Sequence, residues 1–346
     1  MNRAKPCTAE RYVPRIQPDP MMIDQSCRKL FSCRGRNSLA LGLLFMVMLL
    51  LGNPVTALAS LPPVAIPPGF SSTGFKGHVE FIRDEAGKLS FDEMLAKPGD
   101  AWQPVATEVP SFGFTTDTYW FRTSLHNESN DTINALFEVS YPVLDDVTIY
   151  LQDAKIPQPP HKFGDIVAFN TREIKNRNYL MDLILSPGET VQLYVRARTS
   201  GSLQVPMHFW EQRAFEEHEQ AYLVGQGLYL GILFVMAIYN FFIYFTVRDS
   251  SYVYYTVSVV SFGLFQASLH GLAFQFLWPG APFINDFAIS LWMALFGYSG
   301  CCFALTFLRL KLAHRPYYKI LMGFSYTLLF AAILSLVIPY HFSIKM

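Results

Sequence analysis

The chain has 346 residues, of which 51% are hydrophobic and only 16% charged, with Phe alone supplying 30. That charged share lies below the quarter or so usual for a soluble domain, and the length allows two structural units in different solvents. Lys plus Arg and Asp plus Glu stand at 27 each; there is neither the basic face that would point to nucleic acid nor an acidic tail.

Residues 1–38 carry eight Lys or Arg against three Asp or Glu, and the apolar run Leu39–Leu51 follows. Thirteen residues are too few to cross a hydrocarbon core comfortably. With Ala57-Leu58-Ala59 just beyond, the segment reads as a leader and secretory signal over 1–59, cleaved after Ala59 or retained as an anchor. The five cysteines, Cys7, Cys27, Cys33, Cys301 and Cys302, all lie outside 60–210. The exported domain therefore relies on its own core rather than on disulfides. No cysteine pair has metal-ligand spacing with a nearby His, so no metal or cofactor is expected.

Residues 60–210 read as β. In Thr190–Arg198, Val191, Leu193, Val195 and Ala197 alternate with polar or aromatic neighbours, the period of a strand with one buried face. Similar runs recur at Tyr119–His126, Ala135–Ser140, Val147–Gln152, Tyr179–Leu185 and Leu203–Trp210, with Pro, Gly and Asn-Asp turns between them. Short punctuated strands predict an antiparallel sandwich rather than a βαβ sheet.

Residues 211–220 form a charged, helix-prone connector. Beyond it, Ala221–Val247, Ser250–Asn285, Phe287–Leu308 and Ile320–Ile344 contain no Asp, Glu, Lys or Arg. Each is long enough to cross a bilayer, which predicts four transmembrane helices at about 221–247, 252–277, 287–308 and 320–340. Arg309, Lys311, Arg315 and Lys319 lie between the third and fourth, whereas Trp278–Asp286 has no basic residue. The excess of positive charge places the loop around Arg315 inside and the β domain outside, in agreement with the export signal. Four spans return the end of the chain to the outside with no soluble module, so the sequence is expected to be a fragment or a product missing its last helices.

Tyr119-Trp120-Phe121-Arg122, Pro142-Val143-Leu144-Asp145-Asp146-Val147, Ile149-Tyr150, Gly164-Asp165, Arg172 and Pro187-Gly188 before the strand ending at Arg196 form an ordered series. In the apolar half, Tyr229, Gly231, Tyr239-Asn240, Asp249, Tyr252 and Tyr255 continue it. The series resembles the bacterial seven-transmembrane receptors with diverse intracellular signalling modules, in their second type of extracellular domain. The resemblance implies a jelly-roll-like β domain that binds carbohydrate or a similar small ligand, seven helices, and a cytoplasmic output module. Only four helices and no output module are found in the sequence.

Five residues are candidates for ligand contact. Trp120 and Arg122 sit two apart on one strand and share a face; an aromatic plane beside a guanidinium suits a sugar ring, and equally suits a core Trp beside an Arg paired with a carboxylate. Asp145, Asp165 and Arg172 fall in turns, where they either meet ligand or cap the backbone. Spacing alone does not set carboxylate separations, so a glycosidase pair is not defined. Gly227 and Gly231 would let a helix approach closely, either in a homodimer or within the bundle. Asn240, Gln266, His270 and Gln275 are polar groups at or near membrane depth, fit for gluing helices or for a relay. No phosphate loop, nucleophile elbow or kinase signature is present. The reading is an all-β extracytoplasmic sandwich followed by an α-helical transmembrane bundle, a sensory receptor of a bacterial inner membrane with its β domain periplasmic. Its expected partners are a small ligand and membrane lipid, with no nucleic acid. The alternative is a transporter or assembly subunit with a periplasmic docking domain.

Overall fold

The computed structural model describes residues 61–155, 158–313 and 315–336; the expected leader and signal over 1–59 lie outside them. The first strands are β1 (Val64–Ile66), β2 (Ser72–Gly74), β3 (Glu80–Asp84), β4 (Gln103–Pro104), β5 (Ser111–Phe114), β6 (Thr118–Asn127) and β7 (Ile133–Val139). They are followed by β8 (Asp146–Gln152), β9 (His161–Phe163), β10 (Tyr179–Leu185), β11 (Thr190–Arg198), β12 (Ser202–Gln204) and β13 (Met207–Glu211).

A seven-stranded sheet runs β4-β3-β6-β11-β8-β9, with β1 added to β6, and a four-stranded sheet runs β10-β7-β13-β2. Pairing is antiparallel except where β1 lies parallel to β6, Val64 opposite Leu125. The two sheets share one core. Phe121 and Leu125 of β6, Val147 and Ile149 of β8 and the alternating Val191, Leu193 and Val195 of β11 meet Phe137, Tyr179, Met181, Leu183 and Phe209 of the other sheet. Period-two alternation thus yields the sandwich expected from the sequence.

The outer face of the larger sheet is covered as well. A short helix, α1 (Phe91–Leu95), is started by a capping box between Ser90 and Glu93. It lays Met94 on Ile82, Trp102, Trp120 and Tyr194.

Strand β13 feeds α2 (Gln212–Val247) without a gap, because the Glu211 carboxylate accepts from the Ala214 N–H at 2.8 Å and caps the helix. The expected connector is therefore the first turns of a 36-residue helix, about 54 Å long at 1.5 Å per residue. Phe215 in its second turn packs on Leu136 and Leu180 of the smaller sheet. Left-handed Arg248 (φ 59) closes α2, and Asp249 caps α3 (Ser250–Leu269) through the Ser251 N–H.

The expected second span, 252–277, is broken. It ends at Leu269, turns through left-handed Gly271 (φ 73), and continues as the short α4 (Leu272–Phe276). After it come α5 (Asn285–Phe307), α6 (Leu310–Ala313) and α7 (Arg315–Ser335). Among the described residues three helical stretches, Gln212–Val247, Pro282–Phe307 and Arg315–Ser335, are long and apolar enough to cross a membrane. Val224, Leu228, Phe234, Val235 and Phe242 of α2 are each more than 60% exposed, as lipid-facing side chains are. The chain after α3 returns to the sandwich, so α3 runs back along the thickness that α2 descends.

Candidate functional site

The sandwich rests on the helices through the loop between β9 and β10. Gly164 (φ 153) lets this loop pass so close to the preceding one that a Cβ there would lie 2.0 Å from the Asp145 carbonyl oxygen. Next to it, the Asp165 N–H donates to Leu144 O at 3.0 Å, and the Asp165 carbonyl accepts from the Asn285 side-chain amide at 2.8 Å. The Asn285 Oδ1 in turn accepts from the Trp278 indole N–H at 2.8 Å. Four residues on, the Phe169 N–H donates to Pro279 O at 3.0 Å. The loop before α5 and the first residue of α5 are thus tied to the sandwich at two points, one by main chain and one by the Asn285 side chain, and these bonds replace the water that free groups would need.

Arg172 fills the space between. One guanidinium nitrogen donates to Asn176 O at 2.7 Å and Arg177 O at 3.0 Å. Its face lies over Phe169, Tyr179 and Phe274, with 4.6, 4.8 and 5.7 Å from the guanidinium carbon to the ring centroids. Phe274 belongs to α4, so the cation is clamped between domain and helix end. Burial pulls its pKa down, opposed by Tyr179 and Asp165. The Asp165 carboxyl lines a narrow gap with Pro142, Ser268, Gly271 and Phe274. Burial, reinforced by Asp145 and Asp286, holds its pKa well above the usual carboxylate range despite Arg172. Asp145 takes its bonds from the Thr199 hydroxyl at 3.1 Å and the Ser200 N–H at 2.8 Å, capping the turn after β11.

A second tie joins the smaller sheet to α2. The Glu138 carboxylate, buried on that sheet, accepts from the Asn178 amide at 2.6 Å and the Trp210 indole at 2.8 Å. Arg177 donates to Glu219 of α2 at 3.1 Å and lies 3.6 Å over the Tyr222 ring.

Trp120 and Arg122 lie on the outer face of the larger sheet, away from this junction. Trp120 is fully buried under α1. Arg122 donates to Glu80 at 2.6 Å and stacks 4.3 Å over Trp102. The shared face expected from the sequence is present. Asp145, Asp165 and Arg172 gather at the junction, and the other two do not join them. Gly227 and Gly231 have nothing within 4 Å of a Cβ added at either position. Gln275 reaches Lys175 O at 3.5 Å, and Asn240 bonds back to Met236 O at 2.8 Å within its own helix.

Beside the junction a polar cleft of 480 Å³ is lined by Thr116, Asp145, Asp146, Ile166, Arg198 and Ser200, with Thr199 alongside. Asp146 is paired with Arg196; Arg198 makes no ion pair among the described residues. Ile166 is 53% exposed and follows Asp165 directly. Sequence reading missed Arg177, Glu219, Phe274 and Asn285. The signal available was Glu219 and Arg177 as charges close to apolar runs, where unpaired charge is costly.

A β-sandwich seated on apolar helices defines a membrane protein with an extracellular domain. Its likenesses to known proteins make the class specific. The family described as 7TMR-DISM extracellular 2 matches residues 76–211, and that described as 7TM diverse intracellular signalling matches residues 222–346. The chain belongs to the seven-transmembrane receptors with diverse intracellular signalling modules, a receptor and signalling family. No curated protein matches the chain. Among solved structures, a family GH115 4-O-methyl-α-glucuronidase with specificity for decorated arabinogalactans aligns at 10% identity and TM-score 0.21, over 40% of this chain and 17% of that one. A GH31 α-xylosidase from Xanthomonas citri aligns at 10% identity and TM-score 0.16, over 41% and 18%. These likenesses are too slight to carry an argument.

Proposed function

We propose that the chain is the sensory portion of a receptor in a bacterial inner membrane, with a periplasmic sandwich that binds a small hydroxylated ligand such as a carbohydrate. The observation that carries this reading is adjacency: Ile166 lines the polar cleft, and the carbonyl of its neighbour Asp165 is held by Asn285 at the start of α5. A molecule that presses on Ile166 moves the atom to which a transmembrane helix is bonded. The cleft volume lies within the range of small-molecule sites. Its chemistry suits a polyol: hydroxyl donors from Thr116 and Ser200, acceptors from Asp145 and Asp146, a cation at Arg198, and Ile166 for the apolar ring face. Ligand energy then shifts the helices only through its differential affinity for two arrangements of this loop.

Isothermal titration of the chain in nanodiscs against neutral sugars and uronic acids tests the reading. Binding of one of them, weakened at least about tenfold in Ile166→Trp and in Arg198→Ala, each the loss of about one good contact, is expected. Binding that both variants leave unchanged, or none across the panel, contradicts it.

A further inference from the structure

The end of the helix bundle farthest from the sandwich holds a cavity of 640 Å³ between α3, α5 and α7. Tyr254 in the first turns of α3, Tyr298 and Leu305 of α5, and Tyr318 and Met322 of α7 form its walls, and Arg309 and Lys311 stand at its mouth. The sandwich is extracellular and α2, α3 and α5 pass to and fro, so this mouth opens on the cytoplasmic face. We propose that it holds the phosphate headgroup of an anionic lipid of the inner leaflet.

Charge, shape and depth agree on this. Arg309 and Lys311 are exposed and form no ion pair among the described residues. Asp249, whose field reaches Arg309, accepts the Ser251 N–H at 2.9 Å and hydroxyl at 2.8 Å on one carboxylate oxygen, and forms no ion pair with Arg309. Arg309 is held in the left-handed region (φ 49) where α5 stops and α6 begins, which fixes both cations on one short turn. Basic pockets between helices on the cytoplasmic side recognise anionic headgroups, and an Arg fork binds phosphate oxygens in charge-assisted pairs. The tyrosine hydroxyls supply further donors. Leu305 and Met322 make the floor apolar, while Phe307 and Leu308, 65% and 56% exposed, continue that surface outward along the path of acyl chains.

Native mass spectrometry of the delipidated chain, titrated with phosphatidylglycerol or with phosphatidylcholine, tests the proposal. The expected result is one phosphatidylglycerol retained in preference to phosphatidylcholine. Arg309→Gln with Lys311→Gln should reduce that preference roughly tenfold, as losing charge-assisted hydrogen bonds implies, whereas Arg309→Lys with Lys311→Arg keeps most of it. Equal melting temperatures for both double variants separate lost binding from lost fold. In a third arm inorganic phosphate is added at millimolar concentration. Failure to displace the lipid assigns the site to a headgroup, and displacement assigns the same anion chemistry to a soluble phosphate and overturns the lipid. No preference between the two lipids, or a preference that the Gln variants keep, overturns the proposal outright.

Discussion

Arg177 of the sandwich and Glu219 of α2 meet at 3.1 Å with only 9% and 11% of their side chains exposed. The pair spans the boundary between a domain that folds in water and a helix that continues into lipid. Breaking a buried pair by removing one partner costs about 3–5 kcal/mol, because the survivor is left buried and alone. Glu219→Ala should therefore lower the melting temperature of the purified chain clearly, and Arg177→Ala by at least as much, since it also uncovers the Tyr222 ring. Exchange of the two residues, Arg177→Glu with Glu219→Arg, should recover part of the loss. If the single variants melt like the wild type, the tie is not structural.

Gly164→Ala is expected to prevent folding of the junction. The added Cβ would stand 2.0 Å from a backbone oxygen, which cannot rotate away as a side chain would. A loss of more than about 4 kcal/mol belongs to this class of change. The check is the yield of monodisperse protein on size exclusion in detergent, against Gly74→Ala, where nothing lies within 4 Å of the new Cβ and the backbone is not left-handed.

Asp165 gives the junction a pH dependence of definite sign. Its carboxyl pKa is raised, by burial first and by Asp145 and Asp286 next, with Arg172 opposing and the Tyr179 ring beneath that cation. A raised carboxyl favours the folded state when protonated. Its contribution is complete below the unfolded value of about 4 and is lost as pH rises through the higher folded value. Asp165→Asn should remove that loss: the variant melts higher than wild type at neutral pH, and the two converge in acid. Parallel curves from acid to neutral pH would contradict the assignment.

On the outer sheet face, Arg122→Ala leaves Glu80, 5% exposed, without its partner. A loss of about 3 kcal/mol follows, read as a lower melting temperature. Arg122→Met with Glu80→Gln, which removes both charges and keeps cover over Trp102, should restore most of it. A ligand role for Arg122 predicts instead that both variants lose binding alike.

Much of the architecture is legible in the amino-acid pattern alone. The alternation of Val191, Leu193, Val195 and Ala197 reads directly as the buried face of β11, and the shared face of Trp120 and Arg122 follows from the same period. Two boundaries are not. Glu211–Gln220 looks like a linker because it is charged, yet Glu211 caps α2 and Phe215 and Glu219 are buried against the sandwich. The run 270–277 looks like continued membrane span because it lacks charge. Its apolarity serves protein contact: Leu272, Ala273 and Phe274 are 6%, 1% and 4% exposed. Absence of charge marks exclusion of water, and does not say whether lipid or protein excludes it. The site is legible only in part for a related reason. Asp145, Asp165 and Arg172 stand out as polar residues in turns, but their partners Asn285 and Phe274 lie about a hundred residues away and share no spacing with them.

The relay from cleft to helix predicts a change of distance across the membrane. Nitroxide labels at Ile184 on the sandwich and Thr306 near the far end of α5, in a chain whose native cysteines are replaced, report it by pulsed electron paramagnetic resonance in nanodiscs. Saturating with a sugar that binds the cleft should shift the distance by about 1–2 Å or more, the scale of helix displacements in switching proteins. Asn285→Ala should abolish the shift while titration still detects binding. Identical distance distributions with and without bound sugar in the otherwise unaltered chain would contradict a receptor that signals through Asp165 and Asn285.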